Sequence, residues 1–298
     1  MKADQNQRLG MWLMIATTLV FAAQDGISRH LALNNSVYMV VMIRFWFFAL
    51  FVIAIAARGA GGLGTAIRSK HPLKQIFRGV LLAAEVVVMV IAFVQLGLIE
   101  THAVFICYPL LVAALSGPIL GERVGWRRWA AIGAGFVGVL IILQPGFGVF
   151  SPWALLPLAS AFMFALYGLL TRFVARDDSA QVSFFWTGIA GAVAITPLGL
   201  IHWAPMSGAD WAWMGALCLT AVLGHWLLIR AYAVAEASAI QPFAYLQLVW
   251  VAILGLALLD ETLRWNVAFG AAVVAAAGLF TLWRERMRRQ SVSLSTEE

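Results

Sequence analysis

The sequence predicts an all-α polytopic membrane protein: ten transmembrane helices arranged as two inverted five-helix repeats, with both termini cytoplasmic. Three observations predict it. Composition is the first. Of 298 residues 62% are hydrophobic and 11% charged, and the mean hydropathy is +0.88, whereas a soluble domain carries about 25% charged residues. One soluble core cannot bury so many apolar side chains. The second is a series of apolar segments with basic residues gathered at alternate ends. The third is a set of polar residues that recurs at a nearly constant offset.

A spanning helix needs about 20 mostly apolar residues. Breaks at charged, Gly/Pro and Asn/Asp clusters leave segments at 10–32, 37–57, 76–97, 102–120, 126–144, 152–173, 181–201, 211–233, 238–259 and 265–283. The connections are short, so there is no room for a separate soluble domain and sequential helices are antiparallel neighbours. With a cytoplasmic N-terminus, the inner side holds 17 Lys and Arg: Lys2, Arg8, Arg58, Arg68, Lys70, Lys74, Arg78, Arg123, Arg127, Arg128, Arg172, Arg176, Arg230, Arg284, Arg286, Arg288 and Arg289. The outer side holds 2, Arg29 and Arg264, and Arg44 lies within a span. That asymmetry follows the positive-inside rule and fits an even number of spans.

Lys2, Arg8 and the Phe21-Ala22-Ala23 stretch have the outline of a signal peptide, but this segment has a partner later in the chain and reads as the first span. The net charge of +6 comes in short clusters between apolar runs, which excludes a basic nucleic-acid-binding face. Cys107 and Cys218 lie in apolar runs and read as packing residues. The basic stretch 284–289 and the Ser-rich 291–298 read as a membrane-surface anchor followed by disorder.

The repeat is carried by polar residues. Asp25-Gly26-Ile27-Ser28-Arg29 and Asn34-Asn35-Ser36 align with Tyr167-Gly168-Leu169-Leu170-Thr171 and Asp177-Asp178-Ser179. Glu100-Thr101-His102-Ala103 aligns with Glu236-Ala237-Ser238-Ala239 at an offset of 136, and Leu120-Gly121-Glu122-Arg123 with Leu259-Asp260-Glu261-Thr262 at 139. Residues 10–144 and 152–284 are then the two repeats, and 285–298 a cytoplasmic tail. Five spans per repeat is an odd number, so the second copy inserts upside down. In transporters built this way the substrate site lies near the midplane between the repeats.

The Gly121-Glu122-Arg123 signature closing an apolar helix, and its second occurrence as Asp260-Glu261-Thr262 after Ala239-Ile240-Gln241-Pro242-Phe243-Ala244-Tyr245-Leu246-Gln247, resemble the EamA-type repeat of the drug/metabolite transporter superfamily. The resemblance runs from about residue 10 to 284, and within the superfamily the chain resembles bacterial exporters of amino acids and related metabolites. It implies a secondary transporter of the bacterial inner membrane, working by alternating access, with no enzymatic activity and no cofactor. The second copy departs from Gly-Glu-Arg at Asp260 and Thr262. On an outer loop, losing the arginine agrees with the positive-inside rule.

Charge within a span costs about 2.5–3.5 kcal/mol by insertion scales, so each such residue is a candidate for the substrate cavity. Asp25 and Arg44 fall at similar depth from the outer surface and are expected to pair, either as a lock between the first two helices or as a contact to a zwitterion. Glu85, about two turns into the third span, reads as a proton carrier or as a group snorkelling toward Arg78 or Arg123. His225, in the middle of the eighth span, reads as a cavity-lining hydrogen bonder or a satisfied core histidine. Tyr108 beside Pro109, and Tyr245 and Gln247 after Pro242, are further cavity candidates, because proline frees a backbone carbonyl that is tolerated at membrane depth when it lines a cavity. Tyr167 and Trp186 offer stacking surface. Glu122 and Glu261 read as helix caps or partners of nearby arginines, and Glu100 and Glu236 as surface groups. Ala131, Gly135, Gly138, Gly270, Ala271, Ala275 and Gly278 form small-residue faces for close helix packing, within a monomer or across a homodimer.

There is no P-loop, His-Glu-x-x-His or Gly-x-Ser-x-Gly motif, and no metal-binding pattern. The partners implied are a small-molecule substrate, lipid and protons. Few cations lie in the spans, which argues against phosphorylated substrates. Efflux of lipophilic cations is the alternative within transport; an intramembrane enzyme or a passive channel is disfavoured.

Overall fold

The computed structural model describes residues 7–59, 61–121, 125–144, 151–235 and 241–294. Hydrocarbon offers no hydrogen-bond partners, so an apolar chain satisfies its backbone within helices. The helices are α1 (Gln7–Asn34), α2 (Val37–Arg58), α3 (Gly62–Ile67), α4 (Pro72–Leu96), α5 (Leu98–Phe105), α6 (Tyr108–Leu120) and α7 (Trp126–Leu143). They continue with α8 (Leu155–Val174), α9 (Ala180–Ile201), α10 (Gly208–Val234), α11 (Leu246–Leu258) and α12 (Trp265–Leu294). Short 3-10 turns, Pro152–Ala154 and Gln241–Tyr245, lead into α8 and α11. Among the described residues there is no strand. Among the described residues seven helical segments are long and apolar enough to cross a membrane, and Trp129–Leu143, Phe243–Leu258 and Trp265–Thr281 are shorter apolar helices. The chain is an all-helical polytopic membrane protein.

Three of the boundaries that differ from the sequence reading have a local physical reason. Pro72 occupies the first turn of α4, where its missing N–H costs nothing, so the helix starts four residues early and takes in Gln75. The fourth span begins at Leu98 rather than 102, directly after Gly97. The tail expected to be disordered from 291 continues as helix to Leu294; extending an existing helix through Arg, Met and Gln needs no new nucleus.

Packing between the halves is reciprocal. α1 of the first half packs on α10 and α11 of the second, while α8 of the second packs on α4 and α6 of the first. α2 contacts α9 and α10, and α9 contacts α2 and α4. The small-residue faces meet where α7 runs along α12: a Cβ on Gly138 would stand 2.8 Å from the Gly270 carbonyl oxygen, and one on Gly270 2.6 Å from that of Gly138. Only glycine permits these backbones to touch. The core beneath is apolar, with Met42, Phe45, Leu82 and Phe93 between α2, α4 and α9, and Leu110, Ile142 and Val274 between α6, α7 and α12.

Candidate functional site

The fourth span is broken. α5 ends at Phe105, α6 restarts at Tyr108, and Pro109 has no N–H to give the Phe105 carbonyl. The equivalent place in the second half is the 3-10 turn Gln241–Tyr245, containing Pro242, that precedes α11. Paired interruptions at matching positions of two halves point to a binding site.

Side chains beside the two breaks converge on α1. Gln247 Nε2 donates to Asp25 Oδ2 at 3.0 Å, and His102 Nε2 lies 3.1 Å from the same oxygen. His102 is 4% exposed, its Nδ1 is 3.1 Å from the Leu98 carbonyl, and its ring stacks on Phe93 at 5.3 Å. A chain of rings continues from it: His102 to Phe105 at 6.2 Å, Phe105 to Tyr108 at 5.2 Å, and Phe164 of α8 edge-on to Tyr108 at 5.0 Å. A small cleft of about 20 Å³ lies on this seam, lined by His102, Phe105, Tyr108, Ala244, Gln247 and Leu248 among others. It has room for a water or two, and its walls come from both halves. A carboxylate, an imidazole, a carboxamide and a row of rings can hold a cationic nitrogen and a flat apolar body together.

The other residues chosen from sequence sit elsewhere. The expected Asp25–Arg44 ion pair is not formed: α1 lies against the second half, so Asp25 is taken up by His102 and Gln247, and Arg44 feels the charges of Asp25 and Glu85 through space. Glu85 is 5% exposed and bonds to Ser160 Oγ of α8 at 2.5 Å, so it neither snorkels nor meets Arg78. His225 Nδ1 is 2.9 Å from the carbonyl of Ala221, and the ring contacts Phe21 and Phe48. Tyr245 packs into the core with its hydroxyl over Gly278, where a Cβ would be 1.6 Å away. Trp186 Nε1 donates to the Ile67 carbonyl at 3.2 Å, tying α9 to α3. Glu122 and Glu236 lie outside the described residues.

Tyr167 belongs to a polar lock at one end of the bundle. Arg78, counted from sequence among the inner surface charges, is only 1% exposed. It donates to Gln75 Oε1 at 2.8 and 3.1 Å, to Tyr167 Oη at 3.2 Å, to Thr171 Oγ1 at 3.0 Å and to the Ser183 carbonyl. Gln75 Nε2 in turn donates to Asp178 at 2.9 Å and Ser183 Oγ at 3.1 Å. Asp178 also accepts from Ser69 Oγ and from the Lys70 N–H. Burial works to raise the Asp178 carboxyl, but the bonds from Ser69, Gln75 and Lys70 prevail and hold it below its ordinary value. Beside it, the hydrogen bond to His71 and the charge of Lys70 hold Asp177 low as well.

A second lock closes the opposite end. Glu261 accepts from the Leu98 N–H at 2.7 Å and the Ile99 N–H at 2.9 Å, capping α5, and pairs with Arg29 at 2.9 Å. Gly97, at φ 83° and ψ 173°, turns the chain there; a Cβ would meet the Glu261 carboxylate at 2.8 Å. Arg264 pairs with Glu100 at 2.8 Å nearby. The capping and arginine-pairing role expected of Glu261 is what the structure contains.

Sequence reasoning passed over His102, Arg78 and Ser160. His102 follows Glu100-Thr101 at the repeat-matched position, and that register was its one available signal.

The model of the EamA-like transporter family matches residues 8–144 and 151–283. An S-adenosylmethionine uptake transporter of Rickettsia prowazekii is 22% identical over 282 residues, covering 95% of each chain. A riboflavin transporter of Rhizobium johnstonii is 30% identical over 230 residues, covering 76% of this chain and 74% of that protein. A pseudopaline exporter of Pseudomonas aeruginosa is 22% identical over 243 residues, covering 81% and 84%. A solved crystal structure shares the fold with a TM-score of 0.61 at 18% identity, covering 94% of this chain and 98% of that one.

Proposed function

Because the chain belongs to the EamA-like transporter family, we propose that it is a ten-helix secondary transporter of the bacterial inner membrane, cytoplasmic at both ends, that moves a small organic metabolite by alternating access. The reciprocal packing of the halves, with α1 on α10 and α11 mirrored by α8 on α4 and α6, supports two inverted repeats, 10–144 and 152–284, that rock against each other. One observation carries the reading: at the matched breaks, His102 and Gln247 from opposite halves share the carboxylate of Asp25.

The substrate class follows from that arrangement. A cationic nitrogen pairs with Asp25, and a flat body lies along Phe105, Tyr108 and Phe164. Amino acids and their derivatives meet the first requirement, in keeping with the amino-acid export expected from sequence. S-adenosylmethionine and riboflavin, named for the relatives, bring in the flat ring. Direction then follows the gradients rather than the site.

The test is reconstitution of the full chain in liposomes with labelled leucine, S-adenosylmethionine, riboflavin, tetraphenylphosphonium and a phosphorylated sugar. An amino acid or ring-bearing metabolite is expected to move saturably, and Asp25→Asn to slow it about tenfold, the effect of roughly 1.4 kcal/mol. Movement of tetraphenylphosphonium alone would favour cation efflux. The transporter reading falls if no solute moves and a lipid or peptide is chemically altered instead.

A further inference from the structure

Asp25 reaches the cleft through His102 and Gln247, and Glu85 is a second carboxylate within the spans. Glu85 does not line the cleft. It stands on the face of α4 that also presents Gln75, Arg78, Leu82 and Met89, spaced three or four residues apart, against the α8 stripe of Thr171, Tyr167, Phe164 and Ser160. This seam between the halves is polar at its inner end, where Arg78 meets Tyr167 and Thr171. It turns apolar at Leu82 and Phe164 and becomes polar again at Glu85 and Ser160. A carboxyl group thus sits at the blind end of a seam whose inner mouth is shut by the lock.

We propose that Glu85 is the coupling-ion site of the transporter and that the ion is a proton, a step that rests on the transport reading above. The site is bipartite: Glu85 belongs to the first half and its hydrogen-bond partner Ser160 to the second. Arg44, the cation whose field reaches Glu85, comes from the first half and moves with it. When the halves shift, Glu85 leaves Ser160, keeps Arg44 beside it and meets water. Burial against α8 favours the neutral O–H form, and water reaching the group beside Arg44 favours the carboxylate. In each cycle one O–H bond forms with a proton from one side and breaks to release it on the other.

The charged and titratable groups facing this level are Asp25 on α1, Arg44 on α2 and His225 on α10, with His102 of α5 reaching it through Asp25. α8 contributes only the Ser160 hydroxyl, which also lies 3.4 Å from the Met89 sulfur. A hard metal cation asks for a shell of oxygen ligands. One carboxylate, one hydroxyl and a thioether do not make that shell, and a proton needs only the carboxylate.

Two measurements on the full chain in lipid test this. The first needs no substrate: infrared difference spectra across a pH titration should contain a carboxylic-acid carbonyl band that Glu85→Gln removes and Asp25→Asn leaves. Glutamine keeps an oxygen to accept from Ser160, so the variant should fold, as checked by gel filtration. The second is uptake of whichever panel metabolite the wild type carries, with and without an imposed gradient of one pH unit. One proton per cycle supports accumulation up to about tenfold, and the ratio should fall to about one in Glu85→Gln. A wild type with no titrating band lost in Glu85→Gln overturns the proposal whatever the transport result. So does a wild type that carries substrate indifferently to the gradient, or a Glu85→Gln variant that still responds to it. A titrating Glu85 band in a protein that moves nothing would instead sink the transport reading, and the coupling role with it.

Discussion

The two locks close opposite ends of the same bundle with different chemistry. At the Arg78 end the arginine touches no carboxylate: its bonds go to a carboxamide, two hydroxyls and a carbonyl, and Gln75 relays it to Asp178. At the Glu261 end a carboxylate meets an arginine directly and two helix N–H groups besides. A network of neutral partners is held by geometry and is costly to leave half-satisfied. An ion pair with a helix cap is held by charge, so it is the lock that salt and local field can loosen.

Arg78→Met should do the greatest damage. It strands the Gln75 carboxamide oxygen in a buried site and takes one partner each from Tyr167, Thr171 and the Ser183 carbonyl, and a loss of about 3 kcal/mol is expected, read as a lowered midpoint of thermal unfolding in detergent. If the midpoint is unmoved, the Arg78 network is not what holds that end. Glu261→Gln should cost about 1–2 kcal/mol, because the amide can no longer pair with Arg29 and caps α5 more weakly. High salt should narrow the gap between wild type and this variant while leaving the Arg78→Met deficit in place; equal salt responses would abolish the distinction between the locks.

Acid probes the Arg78 end. The Asp178 carboxyl is held below its unfolded value, so its contribution is fully present above about pH 4 and is lost only as pH falls through its lower folded value. Stability attributable to Asp178, taken as the difference between wild type and Asp178→Asn, should therefore be flat from neutral pH to about 5 and shrink below about 4. The smallest effect is expected at the half-exposed Arg264–Glu100 pair, where Arg264→Ala should change stability by less than about 1 kcal/mol.

Much of the architecture was legible because the bilayer imposes it. Apolar runs and the one-sided basic residues identified the helical segments, and matched polar residues suggested where two halves correspond. Asp25, Tyr108 and Gln247 were chosen for being polar at membrane depth, and these three sit together at the breaks. The partnerships were less legible. Asp25 was assigned to Arg44 because the two are close along the chain, yet α1 spends its length against α10 and α11. Arg78 reads as a surface charge by position, and nothing in its neighbours foretells that Tyr167 and Thr171, nearly a hundred residues later, enclose it. Tyr245 and Trp186 have the same composition-level signal as Tyr108 and turn out to be packing residues, since a polar atom in a helix does not disclose which way its side chain turns.

Gly97 has a consequence beyond the Glu261 lock. The bend it makes belongs to one repeat, but the carboxylate that fills the space its missing side chain leaves comes from the other. Each of the two stretches that the family model matches thus holds one part of the same lock, the bend at Gly97 in 8–144 and the carboxylate of Glu261 in 151–283. Expressed as separate polypeptides, the two pieces should work only when made together, and two copies of either piece should not replace the pair.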